Sequence, residues 1–232
     1  WLRAARWLLT AAFAVVPFVF LPITSAPVEL NKEFVFAALV LGAFIAWLGE
    51  VLTTGEIRYR KSLLHWGIAG VTVVGMVSAL FSAAPAQSLA NVGLSHESLI
   101  GIVTLGLFAF LVTAVFRSAD DVRRAYRWLI GVGAAYGAFN LVQVTGRFLL
   151  PWQIAQNLNI TGAGSQNHLA VVFGILGVLL VGMLVRPAQE ERRVSAIGKI
   201  AYGLAGLVFF LNVAAINLRW TWLGLAVAMA AV

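Results

Sequence analysis

The stretch Ser98-Leu-Ile-Gly-Ile-Val-Thr-Leu-Gly-Leu-Phe-Ala-Phe-Leu-Val-Thr-Ala-Val-Phe116 decides the fold class of this chain. It holds no Asp, Glu, Lys or Arg, and it lacks the polar stripe at helical spacing that a soluble core helix would show. In hydrocarbon every backbone N–H and C=O must bond within the segment, so the stretch reads as a membrane-crossing α-helix. Charge-free runs of the same kind cover 7–28, 34–49, 62–96, 128–146, 148–185, 200–218 and 220–232. Two of them are long enough to hold a loop as well as a helix, one around Ser82-Ala-Ala-Pro85-Ala-Gln-Ser88 and one from Pro151 to His168. Helices are therefore predicted at 7–24, 34–53, 63–82, 98–116, 127–147, 168–185, 197–216 and 219–232. The expected architecture is an all-α, polytopic transmembrane bundle of about eight helices, seven complete and the last truncated, in a single domain over 1–232.

Composition agrees. Of 232 residues, 61% are hydrophobic and 11% charged, with a mean hydropathy of +0.93; soluble domains carry roughly 25% charge. The absence of cysteine excludes a disulfide framework and thiolate metal sites. A net charge of +7 would suggest nucleic acid in a soluble protein. Here the cations lie in short clusters between apolar runs, which is a topology signal and not a nucleic-acid patch. The chain opens on Trp1 and stops inside the apolar run Trp220–Val232. That run has 13 residues where a crossing takes roughly 20, so the expectation is the N-terminal part of a longer protein. The first run has no Ala-x-Ala site and is read as a retained helix.

Loop charges orient the bundle. With the N-terminus in the cytoplasm, thirteen of the sixteen cations fall on the cytoplasmic side. They are Arg3 and Arg6; Arg58, Arg60 and Lys61; Arg117, Arg123, Arg124 and Arg127; and Arg186, Arg192, Arg193 and Lys199. Only Lys32, Arg147 and Arg219 lie outside. The positive-inside rule selects this orientation. Trp7, Trp47, Trp66 and Trp128 then fall near cytoplasmic helix ends, and Trp152, Trp220 and Trp222 near outer ends, as an aromatic belt requires.

The outer cations become informative once topology accounts for the others. Arg219 opens the last helix in Asn217-Leu-Arg219-Trp-Thr-Trp222. Guanidinium stays charged and grips phosphate bidentately, so an Arg at the mouth of a bundle suits a lipid-linked phosphate; the plain alternative is snorkelling to headgroups. Arg147 closes an ordinary span, and Lys32 sits in a local charge cluster with Glu29 and Glu33. The most polar outer stretch is Thr161-Gly-Ala-Gly164-Ser-Gln-Asn167-His168. Its glycines would let backbone amides approach an anion at a helix N-terminus. Asn167 either contributes to that site or caps a helix beginning at Leu169, and His168 is either a base or an interface residue. Ser95-His-Glu-Ser98 reads as a helix start.

Within the fifth helix, Tyr136, Asn140 and Gln143 share one face and should point into the bundle, as interhelical glue or as a polar route. Gly133 and Gly137 form a GxxxG pair that favours close packing. No His/Asp/Glu cluster has metal spacing, and neither a Walker loop nor a nucleophile elbow occurs.

Three stretches resemble the O-antigen ligase and polymerase superfamily of bacterial envelope enzymes. They are Val77-Ser-Ala-Leu-Phe-Ser82 with the loop through Ser88, Gly162-Ala-Gly164-Ser-Gln-Asn167-His-Leu-Ala170, and Asn217-Leu-Arg219-Trp-Thr-Trp222-Leu-Gly224-Leu. The second is similar to a Gly-Asn-Pro-Asn-x-Leu-Ala segment opening a helix, the third to a Ser-Arg-x-x-x-Leu-Gly helix start. The resemblance implies a metal-independent glycosyltransferase of the bacterial inner membrane that uses no cofactor. Such enzymes move a glycan from a polyprenyl-pyrophosphate carrier to a lipid or glycan acceptor on the outer side. Arg219 matches a pyrophosphate-holding arginine, and Gly164 and Asn167 match the second motif. With the polar and basic residues read on the outer face added to these matches, the expected site has Arg219 and His168 as catalytic residues, with Gly164, Gln166, Asn167 and Arg147 binding substrate. Leu218 departs from the family's Ser and Gln166 from its frequent Pro. The family's arginine after the first loop has no counterpart near His96, and its outer domain with a catalytic His would lie beyond Val232. The alternatives from other classes are a lipid-linked glycan flippase or small-solute transporter, and a structural scaffold. For a transporter, the charge-free helix centres are a poor fit.

Overall fold

The structure, a computed structural model, describes residues 1–19, 29–57, 63–82, 99–151, 156, 160–161, 164–185 and 195–230. Among these the chain is all-helical, as expected, with eight α-helices. They are α1 (Leu2–Ala14), α2 (Glu29–Thr54), α3 (Leu63–Leu80), α4 (Leu99–Val115), α5 (Ala119–Val144), α6 (Gln166–Val185), α7 (Ala196–Ile216) and α8 (Arg219–Ala230). A two-residue antiparallel pairing joins β1 (Ile160–Thr161) to β2 (Gly164–Ser165), with Ile160 opposite Ser165 and Thr161 opposite Gly164.

Among the described residues, three helices are long and apolar enough to cross a membrane: α2 over Asn31–Thr54, α6 and α7. Their most apolar windows are only 22%, 33% and 22% buried, respectively. Helices this apolar that turn most of their surface outward belong in a hydrocarbon solvent or against partners, not in water. Of the expected crossings, these three meet both the length and the hydropathy of a span among the described residues. Helices α3 and α4 are apolar but shorter, with apolar segments His65–Leu80 and Leu99–Val115.

The first predicted helix, 7–24, is corrected most. It starts at Leu2, ends at Ala14 and gives way to a 3₁₀ turn over Val16–Phe18 that contains Pro17. Proline offers no N–H and its ring collides with the carbonyl four residues back, so the α-helix stops ahead of it. Thirteen residues rise about 20 Å, short of the roughly 30 Å of hydrocarbon. Helix α5 is corrected in the other direction, beginning at Ala119 and not 127. The Ser118 hydroxyl accepts from the Asp121 N–H, and Asp120 and Asp121 occupy the first turn, where carboxylates favour the helix dipole.

The described residues form two compact units, Trp1–Ala125 and Tyr126–Val232. In the first, α1 and α4 pack on α2, and α3 packs on α4. Its core sets fully buried Ala5 and Leu9 of α1 against Val40 and Ala43 of α2 and Leu111, Ala114 and Val115 of α4. Trp47 meets Phe110 edge-on, with centroids 5.4 Å apart. Polar ties accompany this apolar core, among them the Leu2 N–H donating to Glu50 Oε2 at 3.3 Å between α1 and α2. His65 bonds the Thr113 hydroxyl at 2.7 Å between α3 and α4, and the Arg6 guanidinium pairs with the buried Asp121 carboxylate at 3.1 Å.

In the second unit α6 packs on both α7 and α8. Gly133 and Gly137 of α5 receive side chains from these neighbours: a Cβ on Gly133 would come within 2.5 Å of Leu176, and one on Gly137 within 2.7 Å of Val208. Phe173 and Phe209 stack beside them at 5.6 Å.

Candidate functional site

The segment around Arg219 is built by its turn. Helix α7 ends on Asn217, which sits in the left-handed region (φ 52°, ψ 42°) and donates its N–H to the Val213 carbonyl at 2.9 Å. Asparagine tolerates this conformation better than other side chains, glycine apart. Its Oδ1 accepts from the Trp222 indole N–H at 3.3 Å, which ties the turn to the first turn of α8. Trp222 in turn meets Phe210 edge-on. Arg219 is thereby fixed as the first residue of α8, exposed, and it makes no ion pair among the described residues.

Next to it, Trp220 and Thr221 line an open cleft of about 330 Å³ between α6 and α8. Its walls are apolar, with Val171, Ile175 and Val178 on one side and Leu225 and Ala228 on the other. Gly174 allows α8 this close, since a Cβ there would stand 3.0 Å from Thr221 Cγ2. The Thr221 hydroxyl is buried and has no hydrogen-bond partner among the described residues. An apolar trough with a cation and a helix N-terminus beside one end can take an anionic lipid, its chain in the trough and its head at the guanidinium.

Ser165 ties Thr161 to the start of α6. Its carbonyl accepts from the buried Thr161 hydroxyl at 3.2 Å, and its own hydroxyl accepts from the His168 N–H at 3.3 Å. Ser165 therefore caps α6, which begins at Gln166. Asn167 is not the cap of a helix starting at Leu169, because Ser165 already supplies the oxygen that the first turn needs. Both Asn167 and His168 are exposed. Gly164 lies in β2.

Gln166 points elsewhere. Its Nε2 donates to Asn140 Oδ1 at 3.4 Å, and Asn140 Nδ2 donates to Asn212 Oδ1 at 2.8 Å. Asn212 Nδ2 completes the chain on the carbonyls of Gly137 (3.1 Å) and Val208 (2.8 Å). Both asparagines are fully buried, and Gln143 is buried on the same face of α5. The inward direction read for Asn140 and Gln143 is thus the observed one. Asn212 and Thr221 escaped the sequence reading. The signal for Asn212 was an amide in the interior of the charge-free run 200–218, whose other amide, Asn217, stands at its end.

Arg147 is exposed, three residues past the end of α5 and just after Gly146, whose φ is +82°. Among the described residues, no hydrogen bond or ion pair joins Arg147, His168, Asn167 and Arg219 to one another. Lys32 and Glu33 lie in α2. Ser95-His-Glu-Ser98, Trp152 and the loop 83–88 lie outside the described residues. No protein-family model, no curated protein and no solved structure matches this chain.

Proposed function

We propose that this chain is a multi-pass protein of the bacterial inner membrane, of the O-antigen ligase or polymerase type. On this reading it moves a glycan from a polyprenyl-pyrophosphate carrier to a lipid or glycan acceptor on the outer face. The observation that carries the proposal is Arg219, an exposed guanidinium at the N-terminus of α8 beside the apolar cleft between α6 and α8. A carrier of this class has the matching parts, a long apolar chain and a doubly charged head. Its leaving group is already activated, so a fixed cation that stabilises developing charge serves the reaction, while a base such as His168 would take the acceptor hydroxyl's proton.

The experiment is glycan profiling of cells whose full-length gene carries Arg219→Ala. Loss of one charge-stabilising donor should reduce transfer about 100-fold or more. Polymer length and attachment equal to those of the unsubstituted gene would remove Arg219 from the reaction. The transporter reading rested on the stripe Tyr136, Asn140 and Gln143. It weakens because Asn140 is committed to Asn212 and Gln166 instead of lining an open route.

A further inference from the structure

The amide chain ends at the first residue of the helix that carries the candidate loop. Asn212 commits its amino group to two backbone carbonyls, of Gly137 and Val208, so its position is set by α5 and α7 together. Asn140 bonds to it and also accepts from Gln166. Gln166 directly follows Ser165, whose backbone pairs with the 160–161 strand and whose hydroxyl caps α6. Three helices and one loop thus meet through three side chains. The two asparagines are fully buried, so no water competes for their bonds. Interhelical amides in an apolar bundle fix register more than they add adhesion.

We infer that Asn140 and Asn212 are positioning residues for the segment Gly164–His168, acting through Gln166 to fix where α6 begins. The consequence for catalysis rests on the glycan-transfer reading; the mechanical role does not. The 3.4 Å link from Gln166 is the longest in the chain and therefore its weakest member.

The sequence contains no cysteine, so Asn167→Cys introduces a single thiol on the exposed loop side of α6, and Ile57→Cys does so at an exposed position in the other unit. Maleimide modification rates are measured on detergent-solubilised protein, alone and combined with Asn212→Leu, Asn140→Leu or Gln166→Leu. Gln166→Leu, which loses one interhelical hydrogen bond, should speed labelling at 167 about threefold through the local opening equilibrium, and Asn140→Leu and Asn212→Leu, which lose two each, at least as much. The rate at 57 should hold. Gln166→Leu leaves the Asn140–Asn212 pair intact and serves where a buried asparagine proves indispensable for folding. Unchanged labelling at 167 in Gln166→Leu overturns the inference, and so does an equal rise at 57 and 167, which is general loosening. With Asn167 restored in the full-length protein, the same three variants should lower kcat/KM for the carrier lipid, since the segment they displace holds Gly164 and Asn167 while Arg219 is untouched. Faster labelling at 167 in a protein whose unsubstituted form transfers no glycan would leave the positioning role standing and remove the glycan-transfer reading.

Discussion

The two units solve the same problem with different materials. Trp1–Ala125 is held by apolar contact among small and branched residues, Ala5, Ala43 and Ala114 beside Leu9, Val40 and Leu111, with an ion pair, a histidine–threonine bond and the Leu2–Glu50 bond among its polar ties. Tyr126–Val232 instead places fully buried amides between helices and hollows α5 with glycines to seat neighbouring side chains. Between lipid-immersed helices the hydrophobic effect supplies no drive, because lipid is as apolar as leucine. Alanine-lined contacts then give adhesion that tolerates small slips, whereas a donor–acceptor chain accepts one register only. The unit built for one register is also the unit that carries Arg219 and the 160–168 loop.

That contrast can be broken at its glycines. Gly137→Ala should cost about 2 kcal/mol, because the new methyl meets Val208 Cγ1 at 2.7 Å and Val208 is a stiff β-branched neighbour. The midpoint of unfolding in an SDS titration of the purified protein measures it, and an unchanged midpoint would mean that the helices simply part. Asp121→Asn should cost about 1 kcal/mol by the same titration, since its partner Arg6 keeps 31% of its side chain in solvent; a cost above that of Gly137→Ala would make the first unit the polar-dependent one. Gly106→Ala, whose methyl meets Ile68 Cγ2 at 3.0 Å and Thr72 Oγ1 at an ordinary 3.6 Å, should cost about 0.5 kcal/mol. Smallest of all is Gly224→Ala on the cleft, where nothing stands within 4 Å and no loss of stability is expected. A measurable loss there would mean that the cleft closes on itself.

Hydropathy located most of the helices because hydrocarbon imposes both length and composition on a segment. It failed where those two constraints separate from helix formation. Charge marks where the membrane ends, not where a helix ends, so α5 runs back through Arg127, Arg124 and Arg123 to Ala119, while α1 stops at Ala14, ahead of Pro17 and inside an apolar run. The candidate site was legible as a set of residue types on loops and helix ends. Its polar support was only half legible. Asn140 announced itself by its stripe, but its partner lies 72 residues away and no local spacing connects them. The cap of α6 was not legible because Ser165, Gln166 and Asn167 stand in a row, and only backbone geometry tells which oxygen reaches an N–H.

The amide chain also has a direction. Backbone carbonyls can only accept, so Gly137 and Val208 dictate that Asn212 turns its amino group toward them and its oxygen toward Asn140. Asn140 must then give its amino group to Asn212 and keep its oxygen for Gln166, which donates in turn. Two main-chain oxygens thus set the parity of every amide up to the loop, as the first tile in a row sets the orientation of the rest. Aspartate has nearly the shape of asparagine yet, when ionised, offers no hydrogen at all, so at position 212 it would repel both carbonyls and leave the message without a sender.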